Sequence, residues 1–472
     1  MKKTLLLLSL FSGFLNAQEK TTKPNIIFIL ADDLGYADIA CYGQKNIKTP
    51  NIDKLAKEGK RFTQFYTGTA VCAPARSSFI TGLHTGHTPI RGNKTFKPEG
   101  QTPLPDSIIT FATRLQNIGY TTGAFGKWSL GYFGTSGDPA KKGIQHFYGY
   151  NCQTLAHDYY PDHLWENDKR INFDKNQVKH TDYSADIIQA KALEFIKEQK
   201  KGQPFFLYLP YTLPHAELNL PHDSVYNYYV NFFQEKPQII KNTEDTLHGK
   251  QFQPYPHAAF AAMVSRLDKY VGEVNALIEK MGLAENTLII FTSDNGPHNE
   301  GGADPDFFNS NGIYKGIKRD LYEGGIREPF IAKWKGSIKA GTTDSTSLIA
   351  MYDFYNTVMD MTQQPKNYYT KDGISFLPAL LEKKQSPHEY LYWELSEFGG
   401  RQAVRYGNWK GVKVNVSTNK NAPLELYDLE KDPSETQNIA ALHPDIIQKL
   451  NQFIREAHQP NINWPILPEE KK

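Results

Sequence analysis

The sequence predicts an α/β protein: a mainly parallel sheet flanked by helices, followed by a smaller C-terminal α+β subdomain with a short antiparallel sheet and one helix. Short continuous apolar runs, of which Asn25-Ile26-Ile27-Phe28-Ile29-Leu30 is the first, have the texture of strands buried on both faces. Amphipathic segments of helical period lie between them, and that alternation is the pattern of a parallel sheet with crossover helices. From Asp372 onward the texture changes to closely spaced short strands with turns, which divides residues 18–371 from 372–472.

The elements follow in order. Thr49-Pro50 opens a helix that runs through Leu55 to Lys57 and stops at Gly59. Phe62–Tyr66 has strand character. The stretch Val71–Gly82 turns from loop into helix, with Pro74 preset for a first turn and Gly82 suited to a left-handed end. Asp106 is the expected cap of a helix carrying Ile108, Ile109, Phe111, Ala112 and Leu115, stopped by Gly119. Thr121–Phe125 is the next strand, and an aromatic, histidine-bearing loop spans Gly149–Trp165. A helix from about Tyr183 to Ile196 precedes the apolar strand Pro204–Leu209. Residues 216–255 lack strong periodicity, and a loop of that length in a compact domain is usually functional. Ala259–Met281 is an amphipathic helix, Thr287–Ser293 a buried strand, Gly316–Pro329 a loop, Phe330–Trp334 a strand and Met351–Met361 a helix. Beyond them, Tyr390–Leu395, Gln402–Tyr406, Trp409–Val414 and Leu424–Leu429 are short strands, and Pro444–Ala457 is the closing helix.

The chain begins with a targeting segment. Lys2 and Lys3 precede an apolar run from Leu5 to Leu15, then Asn16-Ala17-Gln18, the layout of a secretory signal peptide over residues 1–17. No other apolar run is long enough to span a membrane, so a periplasmic or secreted protein is expected. Without Lys2 and Lys3, Lys+Arg falls from 53 to 51 and matches the 51 Asp+Glu. Nothing global then steers the chain to nucleic acid, and any recognition of anions is local. Three cysteines, Cys41, Cys72 and Cys152, do not make a disulfide scaffold. Export leaves a Cys41–Cys152 bridge open, with Cys72 the odd one.

The chemistry collects at strand ends. Asp32 and Asp33 end one buried run, and Asp294 and Asn295 end another. In a parallel sheet all four share one edge, where α/β proteins place their sites. Clustered carboxylates repel unless a cation joins them, and an all-oxygen set suits a hard ion such as Ca²⁺ or Mg²⁺ better than zinc. Either pair alone is more simply read as a loop carboxylate or a helix cap. Cys72 falls just before a helix N-terminus, where unpaired amides face an anion, with Arg76 one turn on. A cysteine there serves either as a small buried hydrophobe or as a nucleophile. Lys127 and Lys318 lie in glycine-flanked loops, and His215 follows a buried strand. Taken together, a metal, three cations, a histidine and a nucleophile describe a site for a tetrahedral oxyanion ester.

Several ordered motifs then carry a family resemblance. Cys72-Ala73-Pro74-Ala75-Arg76 with Thr81-Gly82 resembles the C-x-P-x-R…T-G signature of the type I sulfatases. Gly126-Lys127-Trp128, Pro214-His215, Ser293-Asp294-Asn295-Gly296 and the run from Gly316 through Lys318, Glu323, Gly324 and Gly325 to Arg327 resemble that family's other motifs, in its order. Asp372-Gly373, Gly407-Asn408-Trp409-Lys410 and Leu426-Tyr427-Asp428-Leu429 resemble its C-terminal part. The resemblance implies an alkaline-phosphatase-like fold and an exported enzyme that hydrolyses sulfate esters, with Cys72 oxidised to formylglycine (3-oxoalanine) by a maturation enzyme. It further implies Ca²⁺, less readily Mg²⁺, at Asp32, Asp33, Asp294 and Asn295, with the modified Cys72 completing the site. A hydroxyl of the hydrated aldehyde then attacks sulfur. Arg76, Lys127 and Lys318 stabilise charge, and His215 protonates the leaving alcohol. Loss of a proton from the second hydroxyl expels sulfate.

Two positions depart from the pattern. Ala75 stands where many members carry serine, and Ser129 where many carry histidine in G-K-W-H-L-G. That histidine handles a formylglycine hydroxyl proton in the family, and serine is a poor base near neutral pH. Aromatic residues are abundant, and with the signal peptide they favour a sulfated carbohydrate as substrate. Candidate contacts to it are Arg91, Asn93, Ser129, His157, Tyr159 and Tyr160. Two other readings share these residues: a phosphodiesterase or phosphonate hydrolase on the same fold, and a non-catalytic protein that binds sulfated glycans.

Overall fold

The computed structural model describes residues 23–97, 99–238 and 253–471. Its centre is an eleven-stranded mixed sheet, mostly parallel. In chain order its strands are β1 (Asn25–Ala31) and β2 (Lys60–Tyr66). A two-strand hairpin outside it forms β3 (Thr95–Phe96) and β4 (Gly100–Gln101). The sheet continues with β5 (Thr121–Lys127), β6 (His146–Tyr150), β7 (His163–Glu166), β8 (Lys169–Asn172), β9 (Phe205–Pro210) and β10 (Thr287–Ser293). It ends with β11 (Arg327–Trp334), β12 (Thr342–Asp344) and β13 (Ile349–Ala350). Across the sheet the order is β12-β2-β11-β10-β1-β9-β5-β6-β7-β8, with β13 on β2. β1 pairs in parallel with both β9 and β10, and β5 with both β9 and β6. β11 runs antiparallel between β10 and β2.

β1 is buried along its whole length because helices cover both faces. Ile27, Ile29 and Ala31 join a core roofed by the long helix Pro256–Lys280 together with Ser184–Glu198. Ile26, Phe28 and Leu30 face the opposite core, with Phe79, Phe111 and Phe354. That period-two division is why β1 is apolar at every position rather than alternating.

Four antiparallel strands, β14 (Leu391–Leu395), β15 (Arg401–Tyr406), β16 (Trp409–Val414) and β17 (Glu425–Asp428), make the smaller sheet. One face carries the helix Pro444–Ala457 through Leu450, Phe453 and Ile454. The other face packs Trp393 and Val412 against Tyr66, Ile326 and Tyr352 of the larger sheet's surroundings. A buried ionic group joins the two parts: Lys410 reaches Glu323 at 2.9 Å, and Arg327 reaches the same carboxylate at 3.2 Å. Burial works against charge on Glu323, but Lys410, Arg327 and Arg405 outweigh it and hold the carboxyl well below the usual glutamate range. Its ionised form therefore stabilises the fold at neutral pH, and that contribution drains away as pH falls below the usual glutamate value. Glu323→Gln is expected to cost about 3–5 kcal/mol at neutral pH, since it strands buried cations. Urea unfolding should show the gap to wild type narrowing as the solution is made acidic.

Several local expectations are corrected. Thr110, not Asp106, caps the helix Phe111–Asn117, accepting a bond from Thr113 N. The aperiodic stretch 216–255 contains a helix, Ser224–Phe233, capped by Asp223. Gly316–Pro329 includes a helical turn, Glu323–Ile326, and the start of β11. Cys72 is the first residue of its helix, Cys72–Thr81, rather than the residue before it, and Gly82 ends that helix in the left-handed region at φ 69°. Cys41, Cys72 and Cys152 are all free thiols, so the Cys41–Cys152 bridge is not formed. The signal peptide lies outside the described residues. Among the described residues, no helix is long and apolar enough to cross a membrane.

Candidate active site

The parallel strands deliver their following loops to one edge. β1 ends at Asp32 and Asp33, β10 at Asp294 and Asn295, and β5 at Lys127. β9 leads through Thr212 to His215, and β2 leads into the helix that starts at Cys72. β11, being antiparallel, begins at this edge, and the loop before it supplies Lys318. Three stretches remote in sequence, residues 32–33, 72–76 and 294–295, thus converge.

Asp32, Asp33, Cys72 and His215 each bring one donor atom within 4.8 Å of the others, and all four are buried. Cys72 Sγ lies 3.2 Å from Asp32 Oδ1 and 4.0 Å from Asp33 Oδ1. Arg76 donates to Asp294 Oδ2 from Nε at 3.0 Å and from a terminal nitrogen at 2.7 Å, and its other terminal nitrogen donates to the Lys127 carbonyl at 2.7 Å. The Lys127 ammonium donates to Asp32 at 2.6 Å, and the Lys318 ammonium to Asp33 at 2.7 Å. Lys318 Nζ also lies 3.0 Å from His215 Nε2. Asn295 Nδ2 donates to Asp33 at 2.6 Å, while its Oδ1 is buried with no partner.

The electrostatics follow from burial and these pairs. Burial alone would neutralise Asp32, but the charges of Lys127 and Arg76 overcome it and hold the carboxyl well below its usual range. Burial, joined by the charge of Asp32, pushes Asp294 up. Burial and then Asp32 push the Cys72 thiol well up, so an unmodified cysteine here stays protonated and is a poor nucleophile. Burial and Lys318 push His215 well down, leaving a neutral imidazole beside an ammonium. Burial opposes charge on Lys318, but Asp33 outweighs it and keeps the amine protonated.

The remaining candidates sit around this centre. His157 stacks on His215, with ring centroids 4.5 Å apart. Ser129 is buried with φ 61° and donates from Oγ to Gln153 Oε1 at 3.0 Å. Asn93 Oδ1 accepts from Ala73 N at 3.1 Å and so ties down the first turn of the Cys72 helix. Arg91 is buried and spends its guanidinium on Glu394, the Gln459 carbonyl and the Thr88 carbonyl. Tyr160 stacks on His180. Tyr159 is fully buried and donates to the carbonyls of Thr212, at 2.5 Å, and His215, at 3.0 Å. Its hydroxyl fixes the loop that carries His215. Tyr159→Phe is expected to lower stability by about 1–3 kcal/mol, because two buried carbonyls lose a donor. Urea unfolding checks this; unchanged stability with a raised KM would instead mark a sugar contact.

Sequence reasoning missed two groups at this edge. His298, four residues beyond Asp294, lies against His215 with centroids 5.7 Å apart, and its place just after a site strand was a usable signal. Glu300 pairs with Lys318 at 3.2 Å and also with Arg319. Nothing local in the sequence distinguishes it from a surface carboxylate.

This fold and site define a hydrolase of oxyanion esters, and comparison with known proteins gives the class. The Sulfatase family model matches residues 24–364, and the model for the C-terminal part of N-sulphoglucosamine sulphohydrolase matches residues 312–459. An N-acetylgalactosamine-6-O-sulfatase of Bacteroides thetaiotaomicron is 27% identical, over 92% of this chain and 93% of its own. Human arylsulfatase A is 30% identical, over 95% of this chain and 89% of its own. The crystal structure of Ps i-CgsB in complex with k-i-k-neocarrahexaose superposes with a TM-score of 0.75 at 28% identity, covering 93% of this chain and 94% of that one. The chain belongs to the sulfatase family, within the alkaline phosphatase superfamily. It is a sulfuric ester hydrolase.

Proposed function

We propose that this chain is an exported enzyme that removes sulfate from a carbohydrate, using a formylglycine made from Cys72 and a Ca²⁺ ion. The observation that carries this reading is the setting of Cys72: a buried thiol 3.2 Å from Asp32 and gathered with Asp33 and His215. As a thiol it is chemically idle; as a hydrated aldehyde it offers two hydroxyls on one carbon, one to attack sulfur and one to let sulfate go. One relative is named for a sulfated sugar and one similar structure was solved with a neocarrahexaose bound, which supports a sugar substrate.

The donor set fits Ca²⁺. Asp32, Asp33, Asp294 and Asn295 offer oxygens only, and the buried Asn295 Oδ1 lacks any partner of its own. Full burial leaves little room for the retained waters that Mg²⁺ favours. When bound, the ion supplies polarisation of the nucleophile and of the sulfuryl oxygens. The chain's own groups do the rest. Arg76 fixes Asp294 and the Lys127 carbonyl, so two sides of the site share one guanidinium. The amines of Lys127 and Lys318 receive the sulfuryl oxygens. His215 and Lys318 hold one proton between their nitrogens, 3.0 Å apart, and pass it to the leaving oxygen.

Peptide mass spectrometry across Phe62–Arg76, on protein from its native host, tests the nucleophile. An aldehyde or its hydrate at residue 72 is expected; an unmodified thiol in active protein overturns the reading. Sulfate release from a panel of sulfated glycans tests the activity. Chelation by EGTA is expected to lower the unfolding temperature. Restoring Ca²⁺ at a hundred times its Kd is expected to return about 2.7 kcal/mol of stability.

A further inference from the structure

The formylglycine reading, on which this inference rests, leaves one chemical requirement without an owner. Sulfate is released only when the second hydroxyl on residue 72 gives up its proton. The acceptor must be near, uncharged and free. Against the pull of burial, Asp32 and Asp33 keep Lys127 and Lys318 protonated. His215 is engaged by Lys318 at Nε2 and by the Ala216 carbonyl at Nδ1. Ser129 is closed into a ring: its Oγ donates to Gln153, the Gln153 backbone N–H donates to Gln101 at 2.8 Å, and Gln101 Nε2 donates back to the Ser129 carbonyl at 2.8 Å.

The stretch that supplies Gln153 to this ring also supplies His157, on the short 3-10 turn Leu155–His157. The His157 ring lies almost parallel to that of His215, 22° apart with centroids 4.5 Å from each other. Its Nε2 is buried and has no hydrogen-bond partner. A histidine kept only for packing would leave the desolvation of that nitrogen unrecovered. The charges that bear on the ring are those of Lys127, Lys318, Asp32 and Asp33, the groups gathered round Cys72.

We propose that His157 Nε2 is the base that takes the hydroxyl proton at residue 72 and so drives sulfate release. In that step Nε2 receives the proton, the O–H electron pair closes to C=O, and the C–O bond to sulfate breaks. Sulfate leaves with the bonding pair, and the aldehyde is regenerated without any further reactant. Burial and the two lysines hold the resting imidazole at about 4, so it enters the cycle neutral. Those same lysine charges are offset when a sulfate anion sits among them, which raises the basicity of the ring when it is needed.

The test uses the matured full-length enzyme, with 4-nitrophenyl sulfate as probe, and compares wild type, His157→Ala and His157→Gln. Both variants are expected to lose about 10²-fold or more in steady-state kcat. Each should still release one nitrophenol per chain in a burst, and the residue-72 peptide should gain the mass of one SO₃ group. The glutamine variant preserves volume and polarity, so it keeps the test open if the alanine variant folds poorly. Turnover within about threefold of wild type overturns the proposal, as does slow turnover without a burst or adduct. A wild-type enzyme without formylglycine, or without sulfate release, takes down both this proposal and the reading it rests on, and the peptide mass tells the two apart.

Discussion

Cys72→Ser is expected to lose at least about 10³-fold in steady-state sulfate release, with no more than one sulfuryl group transferred per chain. The reason is local and chemical. Serine fits the space, since Cys72 sits in the first helical turn with its side chain directed at Asp32, and a hydroxyl there donates to that carboxylate more strongly than a thiol. The fold is therefore expected to survive, with an unfolding temperature within a few degrees of wild type. A serine ester of sulfate, however, has no second hydroxyl on the same carbon from which to expel the anion. The expected signature is a stoichiometric adduct on the residue-72 peptide and a flat progress curve after it. Full turnover by this variant would refute the formylglycine mechanism outright.

Asp33→Ala is expected to be nearly as damaging, for a different reason. Asp33 accepts the Lys318 ammonium at 2.7 Å and the Asn295 amide at 2.6 Å, and His215 Nε2 lies 3.3 Å from the same carboxylate. One carboxylate thus holds together part of the proposed metal set and the group proposed as acid to the leaving oxygen. Its removal leaves a buried ammonium unpaired, a cost of about 3–5 kcal/mol. It also takes away one proposed Ca²⁺ ligand. Ca²⁺ titration should show affinity lowered by at least about 10-fold, and kcat should fall by at least about 10³-fold. Unchanged Ca²⁺ affinity would remove Asp33 from the proposed ligand set.

The site's centre was legible in the sequence because a parallel sheet translates chain order into place. Asp32-Asp33 and Asp294-Asn295 follow buried runs, and strands that run the same way must end at the same edge. Cys72, Arg76, Lys127 and His215 could be placed by the same rule. The periphery was not legible, because it depends on partners far along the chain. Arg91 finds Glu394 across 303 positions, and Tyr159 finds carbonyls 53 and 56 positions away. No local pattern announces such bonds. The helix Ser224–Phe233 was hidden by its own composition, since its tyrosines, phenylalanines and valines favour strands when judged residue by residue. The turn Glu323–Ile326 was hidden by its brevity, as four residues cannot show a helical period.

The depth of Cys72 also sets a clock. In the finished fold its side chain has no exposed surface, its neighbour Ala73 is bonded to Asn93, and Trp393 of the last-made sheet bonds back to Thr67 just ahead of the helix. On the proposed formylglycine reading, an enzyme that oxidises residue 72 has to reach it before this segment is docked and buried. On that reading, maturation and folding would compete for the same few residues. A chain that folded first would then keep its residue 72 as a buried thiol, out of reach of the modifying enzyme.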